Sequence, residues 1–240
     1  MALNTMSKDK LEALDAVKKS RTALSSLPAE FRDDKDVVLA ALKKNGRAIQ
    51  FASEILRQDR KIVLAAVEQN GRALTHVPKC FVADRRIVLA AVRNYGVALK
   101  CAHEMLKKDK EIVLTAVQQN GLALQYASTK LKNDKDVVLA AVKQDTHSLK
   151  YASIELQNDK EVILAAVKRN GWALEYASRE LRNDKGVVLG AVQQSGMALY
   201  YASKQMRNNK LIIAEAIKQN PLALRYVGAE TFIEYCMRND

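Results

Sequence analysis

The sequence predicts an all-α solenoid of nine helix-turn-helix repeats, each 25 residues long, which we expect to form a right-handed superhelix. Two features of every unit support this: an acidic or amide residue at its start, and an apolar Ala-rich run after it. A fixed period of this size, without insertions, is the sequence signature of stacked-repeat proteins. The repeats start at Asp9, Asp34, Asp59, Asp84, Asp109, Asp134, Asp159, Asp184 and Asn209.

The first helix of a unit is predicted from its start signal and its apolar pattern. Asp159 is an N-cap residue, and the helix runs through KEVILAAVKR to Asn170-Gly171. The apolar residues do not alternate as in a strand, and they surround most of the helix circumference. We therefore expect this helix to be buried on nearly every side, and Gly171 to adopt a left-handed conformation that ends it.

The second helix of a unit, as in WALEYASREL, is predicted to be an amphipathic α-helix. Ala173 and Leu174 would face the core, and Trp172, Glu175 and Arg179 would point outwards. A ladder of tyrosines lies at the edge of this core face. Aromatic side chains at such positions either complete the core, which we favour, or stack nucleic-acid bases. The ladder consists of Tyr126, Tyr151, Tyr176, Tyr201 and Tyr226.

The terminal repeats depart from the pattern as capping repeats do. Glu12 and Asp15 in the first unit, and Glu215 in the last, replace apolar or small residues of the other units. We therefore expect one repeat domain over residues 1–240. It has a lead-in at 1–8, an N-terminal capping repeat at 9–33, seven regular repeats at 34–208, and a C-terminal capping repeat with a tail at 209–240.

Composition restricts the class of protein and its surroundings. The 39 Lys and Arg against 27 Asp and Glu give a net charge of +12, which favours acidic partners. No apolar run is long enough to span a bilayer, and the N-terminus lacks the apolar core of a secretory signal. With only three cysteines, we expect a cytoplasmic monomer without membrane insertion, or one delivered to a host cell by signal-peptide-independent secretion.

The sequence contains no pattern that indicates catalysis. A nucleotide-binding loop, a nucleophile elbow and a metalloprotease helix are all missing, so we expect neither an enzyme nor a cofactor. His76, Cys80, Cys101 and His103 are competent zinc ligands. Residues two apart on a helix diverge, however, which keeps Cys101 and His103 from converging. We favour packing roles for these residues and predict no metal site.

The repeat motif NDKEVVLAAVKQNG, followed by a Tyr-Ala-Ser triplet, resembles the family known as domain of unknown function 4116. The resemblance covers residues 9 to about 228, and its motifs recur in register, as at Ala166-Val167 and Tyr176-Ala177-Ser178. The motif is also similar to leucine-rich variant repeats, which alternate an α-helix with a 3₁₀ helix. Because most units lack the extra proline of those repeats, we expect two α-helices. Neither resemblance implies a catalytic residue, and the first family's occurrence in protists and intracellular bacteria suggests a host-directed role.

Two surfaces are candidate binding sites. The first surface, which we call the basic belt, consists of the basic residues that directly follow the repeat starts. A cation at this position opposes the helix dipole, which costs stability. Either an ion pair with an Asp of the same or the adjacent repeat offsets this cost, or the cation binds an anionic ligand. Lys10 begins the series in the first repeat. The belt is Lys35, Arg60, Arg85, Lys110, Lys135, Lys160, Lys185 and Lys210.

The second surface, the apolar track, is a set of apolar residues at predicted outward positions of the second helices. Such a track is typical of a partner site, and the competing interpretation is burial against the preceding repeat. Its members are Val97, Leu122, Ile154, Trp172, Met197, Tyr200 and Leu222.

These features together predict a non-enzymatic scaffold that binds a partner protein or peptide along its repeats. Leu122, Trp172, Met197 and Tyr200 are the expected contact residues. The alternative function is non-specific binding of nucleic acid, or of another polyanion, by the basic belt, with an affinity that falls steeply with salt.

Overall fold

A computed structural model describes residues 8–228 of the protein. The predictions about residues 1–7 of the lead-in and about the tail at 229–240 lie outside the described residues. Throughout 8–228 the chain forms helices and turns, without a strand, and the 25-residue units follow one another without interruption. The predicted class, an all-α repeat solenoid, is confirmed.

Each repeat begins with a long α-helix. Asp159 caps the helix Lys160–Arg169 as predicted, since its carboxylate accepts hydrogen bonds from the backbone N–H groups of Glu161 and Val162, at 2.9 and 3.1 Å. The helices are α1 (Lys8–Lys19), α2 (Lys35–Lys44), α3 (Arg60–Gln69), α4 (Arg85–Asn94), α5 (Lys110–Gln119), α6 (Lys135–Gln144), α7 (Lys160–Arg169), α8 (Lys185–Gln194) and α9 (Lys210–Gln219).

The second helix of each regular repeat is a six-residue 3₁₀ helix, so the prediction of a second α-helix is wrong. The first repeat has instead a single α-helical turn at Ala23–Ser26. The 3₁₀ helices are η1 (Gly46–Phe51), η2 (Gly71–His76), η3 (Gly96–Cys101), η4 (Gly121–Tyr126), η5 (Thr146–Tyr151), η6 (Gly171–Tyr176), η7 (Gly196–Tyr201) and η8 (Pro221–Tyr226).

A one-turn segment connects each 3₁₀ helix to the next repeat. It is α-helical at Ala29–Arg32, which follows Ala23–Ser26 in the first repeat, and at Glu54–Arg57, Thr129–Lys132, Ile154–Gln157 and Lys204–Arg207. It is 3₁₀ at Lys79–Ala83, Leu106–Lys108 and Leu181–Asn183.

Two capping residues explain why the second helix is short. The Asn170 side chain accepts a hydrogen bond from Trp172 N–H, and Ser178 Oγ accepts one from Leu181 N–H. Asn170 itself is extended, and so is Ala177, which directly precedes the serine. A 3₁₀ helix suits so short a stretch, because longer runs of 3₁₀ are uncommon and a stable α-helix needs several turns.

The glycines that open the 3₁₀ helices are required by a close approach between repeats. The predicted left-handed conformation is wrong, since no glycine among residues 8–228 has a positive φ. A Cβ atom on Gly171 would lie 2.3 Å from the carbonyl oxygen of Ala191 on α8. Thr146, which replaces this glycine in one repeat, is buried, so a repeat boundary built around it has room for a side chain.

The structure divides into two compact units, Met1–Ser128 and Thr129–Asp240, of which residues 8–228 are described. Within each unit, successive α-helices pack on one another, and successive 3₁₀ helices pack in a second layer beside them. The core lies between the layers, where Val162, Ile163 and Ala166 of α7 and Leu174 of η6 are fully buried. Within the described part of the chain, no helix combines the length and apolar character that crossing a membrane requires.

The terminal α-helices carry polar residues where regular repeats carry small or apolar ones. In α1, Glu12 and Asp15 are exposed, whereas Val37, which occupies the position of Glu12 in the next repeat, is buried. In α9, Glu215 is half-buried. Polar residues at these positions are what a terminal repeat needs, and the capping role of the two helices stays a prediction.

Candidate functional site

The basic belt residues form ion pairs between consecutive repeats. Lys35 Nζ lies 2.6 Å from Asp59 Oδ2, the carboxylate that caps the next α-helix. The distance is also 2.6 Å for Lys160–Asp184, and it is 2.8 Å for Lys10–Asp34, Arg60–Asp84, Arg85–Asp109 and Lys135–Asp159. The cost of a cation near a helix N-terminus is thus offset by a carboxylate of the following repeat.

The remaining belt residues are Lys110, Lys185 and Lys210, and the first and last of these have interaction partners as well. Lys185 differs because the next repeat starts with Asn209. The Asn209 side chain still caps α9, accepting from the N–H groups of Leu211 and Ile212 at 3.1 and 3.3 Å. Among residues 8–228, Lys185 therefore lacks an acidic partner and is exposed. The cap can be kept without the ion pair.

The capping carboxylates are held in their charged form. The ion pair with Lys35, Arg60, Lys135 or Lys160 is the largest cause of a lowered pKa at Asp59, Asp84, Asp159 and Asp184 respectively. At Asp34 and Asp109, burial is the largest influence and raises the pKa. The cation and two backbone N–H groups together outweigh it, so these pKa values are lowered as well. The belt is thus part of the structure that joins the repeats.

The 3₁₀ helices present a different surface, which we call the ridge. With three residues per turn, residues three apart lie above one another. The first, third and fourth residues of each regular 3₁₀ helix are predominantly buried, as Gly171, Ala173 and Leu174 are. The second and fifth residues point away from the core and are exposed, as Trp172 and Glu175 are, or half-buried. The ridge consists of these second and fifth positions, and their side chains vary from repeat to repeat.

The predicted apolar track falls on more than one structural element. Trp172, Tyr200 and Leu222 are on the ridge, and they are 42%, 54% and 65% exposed. Val97, Leu122 and Met197 are also at ridge positions but are half-buried. Ile154, 80% exposed, lies on the one-turn helix Ile154–Gln157, separated from η5 by the extended residue Ala152. Ile154 is therefore not a ridge residue.

Two ridge residues of the second unit, Trp172 and Tyr200, form an aromatic cluster with Tyr201 and Tyr226, the sixth residues of their 3₁₀ helices. Trp172 meets Tyr201 edge-to-face at 5.8 Å between ring centroids. Tyr200 contacts Tyr201 at 5.0 Å and Tyr226 at 5.1 Å, also edge-to-face. Trp172 and Tyr200 are exposed, whereas Tyr201 and Tyr226 are half-buried. We call these four residues the aromatic surface. It spans three consecutive 3₁₀ helices.

Charged groups border the aromatic surface. Burial, and then the nearby Glu175 carboxylate, raises the pKa of the Tyr201 hydroxyl. The guanidinium of Arg225 lies over the Tyr226 ring, 5.7 Å from its centroid. The aromatic surface is thus an exposed apolar centre with charged groups at its border.

The tyrosine ladder supports the ridge from below. Its members are the sixth residues of their 3₁₀ helices, and all are half-buried. Ridge side chains of the preceding repeat rest on them: His147 meets Tyr176 at 6.3 Å, as Trp172 meets Tyr201. The ladder is therefore the edge of the core, as favoured from the sequence. Tyr201 and Tyr226 were not among the predicted contact residues, because their position in the repeat indicated packing.

The histidines and cysteines weighed as zinc ligands have separate surroundings. His76 is half-buried, and burial, followed by the charge of Arg47, lowers its pKa. The His103 ring accepts a hydrogen bond from the N–H of Met105, so it stabilises a local turn. Cys80 is exposed and Cys101 is half-buried. In the described range 8–228, no group of three or more potential ligands is placed to hold a metal ion.

The fold and the ridge define a class of protein, the helical repeat solenoid whose constant core carries varied outer side chains. The chain belongs to the family described as Domain of unknown function (DUF4116). The family model matches eight overlapping stretches of two repeats each, at residues 9–57, 34–82, 59–107, 84–132, 109–157, 134–182, 159–207 and 184–232. Comparisons with curated proteins and with solved structures give no match.

Proposed function

We propose that the protein is a non-enzymatic scaffold that binds a partner protein or peptide along the ridge. The aromatic surface is the observation that carries this proposal. Trp172 and Tyr200 stay exposed while they are held in place by Tyr201 and Tyr226 beneath them. Aromatic anchors of this kind bind well because large contact areas are presented at little cost in conformational entropy.

The contrast between the ridge and the belt supports the same conclusion. Belt residues form ion pairs that join consecutive repeats, such as the pair of Lys160 with Asp184. Ridge residues contribute little to the core, so they are free to differ between repeats without loss of the fold. A surface on which side chains vary over a constant backbone is suited to recognition. The paired belt cations give less support to the alternative, nucleic-acid binding by the belt.

The proposal is tested by affinity capture with a double variant, Trp172→Ala with Tyr200→Ala. We expect recovery of bound partner from a lysate to fall at least roughly tenfold, because loss of two hot-spot side chains costs more than 1.4 kcal/mol. Quantitative mass spectrometry of the captured proteins measures this effect. Circular dichroism should show unchanged helix content, since both side chains are exposed.

A matched control is available in the same unit. Ile154 and Leu211 are 80% and 50% exposed but lie outside the ridge. The pair Ile154→Ala with Leu211→Ala removes similar apolar surface and should retain wild-type recovery. Wild-type recovery by the ridge variant, or an equal loss in both variants, contradicts the proposal.

A further inference from the structure

The ridge of the first unit contains a groove with a different chemical character. It has a volume of about 350 Å³ and crosses successive 3₁₀ helices. Three cations line it: Arg47 of η1, Arg72 of η2 and Lys100 of η3. Tyr95 and Tyr126 are among its other lining residues. No acidic side chain lines the groove.

The groove cations differ from the belt cations in their partners. Among residues 8–228, the three make no ion pair, and each is exposed. The guanidinium of Arg72 is held over the Tyr95 ring at 4.6 Å, which fixes its position without neutralising its charge. Burial lowers the pKa of His76, and the charge of Arg47 lowers it further. The charges of these three cations are therefore available to an anionic ligand.

We infer that this groove binds an acidic, extended segment of a partner protein. Arginine guanidinium groups match carboxylates in geometry as well as in charge. Neighbouring helices lie about 8–10 Å apart. A peptide in the extended polyproline II conformation has three residues per turn and advances about 3.1 Å per residue, so side chains three residues apart share a face and lie about 9 Å apart. Carboxylates on every third residue of such a peptide that crosses the repeats would therefore meet Arg47, Arg72 and Lys100 in turn. The inference rests on the proposed scaffold function and names the partner chemistry of its first unit.

An acidic peptide is favoured over nucleic acid by the extent of the charge. A nucleic-acid strand binds along a continuous line of cations that follows its backbone. Here only three cations line one short groove, while belt cations of the same unit, such as Arg60 and Arg85, are paired with Asp84 and Asp109. A groove of this size accommodates a few side chains of a peptide.

Fluorescence anisotropy with labelled peptides tests the inference on the full chain. The probe is a peptide of Glu-Gly-Ser repeats, and its neutral counterpart has Gln in place of Glu. We expect saturable binding of the Glu peptide alone. The variant Arg47→Gln with Arg72→Gln should raise its Kd at least roughly tenfold.

A matched pair separates groove binding from attraction by net charge. Arg86 and Arg93 lie in the same unit, are exposed, and make no ion pair within residues 8–228. The variant Arg86→Gln with Arg93→Gln removes the same charge outside the groove and should change Kd less than roughly twofold. Equal losses in both variants, equal binding of the Gln peptide, or no saturable binding would overturn the inference. The inference would also be overturned if binding of a labelled single-stranded oligonucleotide required Arg47 and Arg72 while binding of the Glu peptide did not.

Thiol alkylation locates the bound peptide independently. Cys101 lines the groove and is half-buried, and burial raises its pKa, whereas Cys80 is exposed and is not part of the lining. Saturating Glu peptide should slow alkylation of Cys101 by iodoacetamide without slowing that of Cys80, as measured by peptide mapping. Equal rates at Cys101 with and without peptide contradict the inference.

Failure of this inference and failure of the proposed function give different results. The peptide experiments concern the first unit alone, and the capture experiment changes only Trp172 and Tyr200 in the second. Loss of peptide binding with the capture result intact removes only the groove. The reverse outcome leaves the groove as an acidic-peptide site and removes the aromatic surface.

Discussion

Replacing Gly171 by alanine should destabilise the protein by about 1–3 kcal/mol, although only one methyl group is added. The new Cβ would lie 2.3 Å from the carbonyl oxygen of Ala191, and 3.1 Å from the Cβ of Ser195. Relief requires that the 3₁₀ helix move away from α8, which opens the contact between two repeats. Urea unfolding followed by circular dichroism measures the loss.

The same substitution at another glycine provides the control. Gly190 lies within α8, where an added Cβ would meet only Val167 Cγ2, at 3.8 Å. Gly190→Ala should therefore stabilise the protein, by up to about 1 kcal/mol, because alanine favours the helical state. If both variants lower stability equally, or if Gly171→Ala has no effect, the close approach of the repeats is not the reason for glycine at position 171.

Acid should destabilise the protein through the capping carboxylates. Their folded-state pKa values are lowered below the ordinary value of 3.8. A group with a lowered folded-state pKa stabilises the fold above its unfolded pKa, and this contribution is lost as the pH falls through the folded value. Because several repeats share the effect, the urea midpoint should change little from pH 7 to about 5 and fall steeply below about 4.

Two substitutions at Asp159 separate the cap from the ion pair. Asp159→Asn keeps a capping oxygen, as Asn209 does naturally, and should cost only about 0.2–1 kcal/mol at neutral pH. Asp159→Ala also loses the cap and should cost roughly 1–2 kcal/mol more. Both variants should lose less stability in acid than the wild type. An unaltered acid transition in Asp159→Asn would mean that this ion pair does not contribute to it.

The first helix of each repeat could be predicted closely because its signals are local. The Asp159 cap, the apolar pattern of KEVILAAVKR and the helix end at Asn170 act within one repeat, and the structure confirms all three. Small residues at Ala166 and its equivalents also indicated a close approach correctly, since Ala191, the same residue one repeat later, receives Gly171.

The type of the second helix depended on contacts that a single repeat does not display. Ser178 caps the next turn through Leu181 N–H, and its hydroxyl donates to Asn158 of the preceding repeat at 2.6 Å. Recognising Ser178 as a cap would have shortened the predicted helix, and the leucine-rich variant resemblance indicated the 3₁₀ form. The need for glycine at position 171 could not be inferred from its own repeat, because the carbonyl group that leaves no room for a Cβ atom belongs to Ala191 of the next repeat.

The candidate site was predictable only in part, for a related reason. A 3₁₀ helix places Trp172 and Glu175 on one line, as the α-helical interpretation also did. Arg179 and Ile154 were assigned to the same face because an α-helix was assumed to continue past the alanine. The partners of the belt were left open by the sequence, since Lys160 and Asp184 are in different repeats. Pairing across a repeat boundary becomes visible only in the folded structure.

Site-specific photo-crosslinking tests the central claim most directly, because it reports which face of a repeat touches the partner. A benzophenone amino acid is introduced in turn at Glu175, on the ridge, and at Lys168, on α7 of the same repeat; both positions are exposed. After capture and irradiation, we predict a covalent adduct with the partner from position 175 and none from position 168. An adduct that forms from position 168 and not from position 175 would contradict the assignment of partner binding to the ridge.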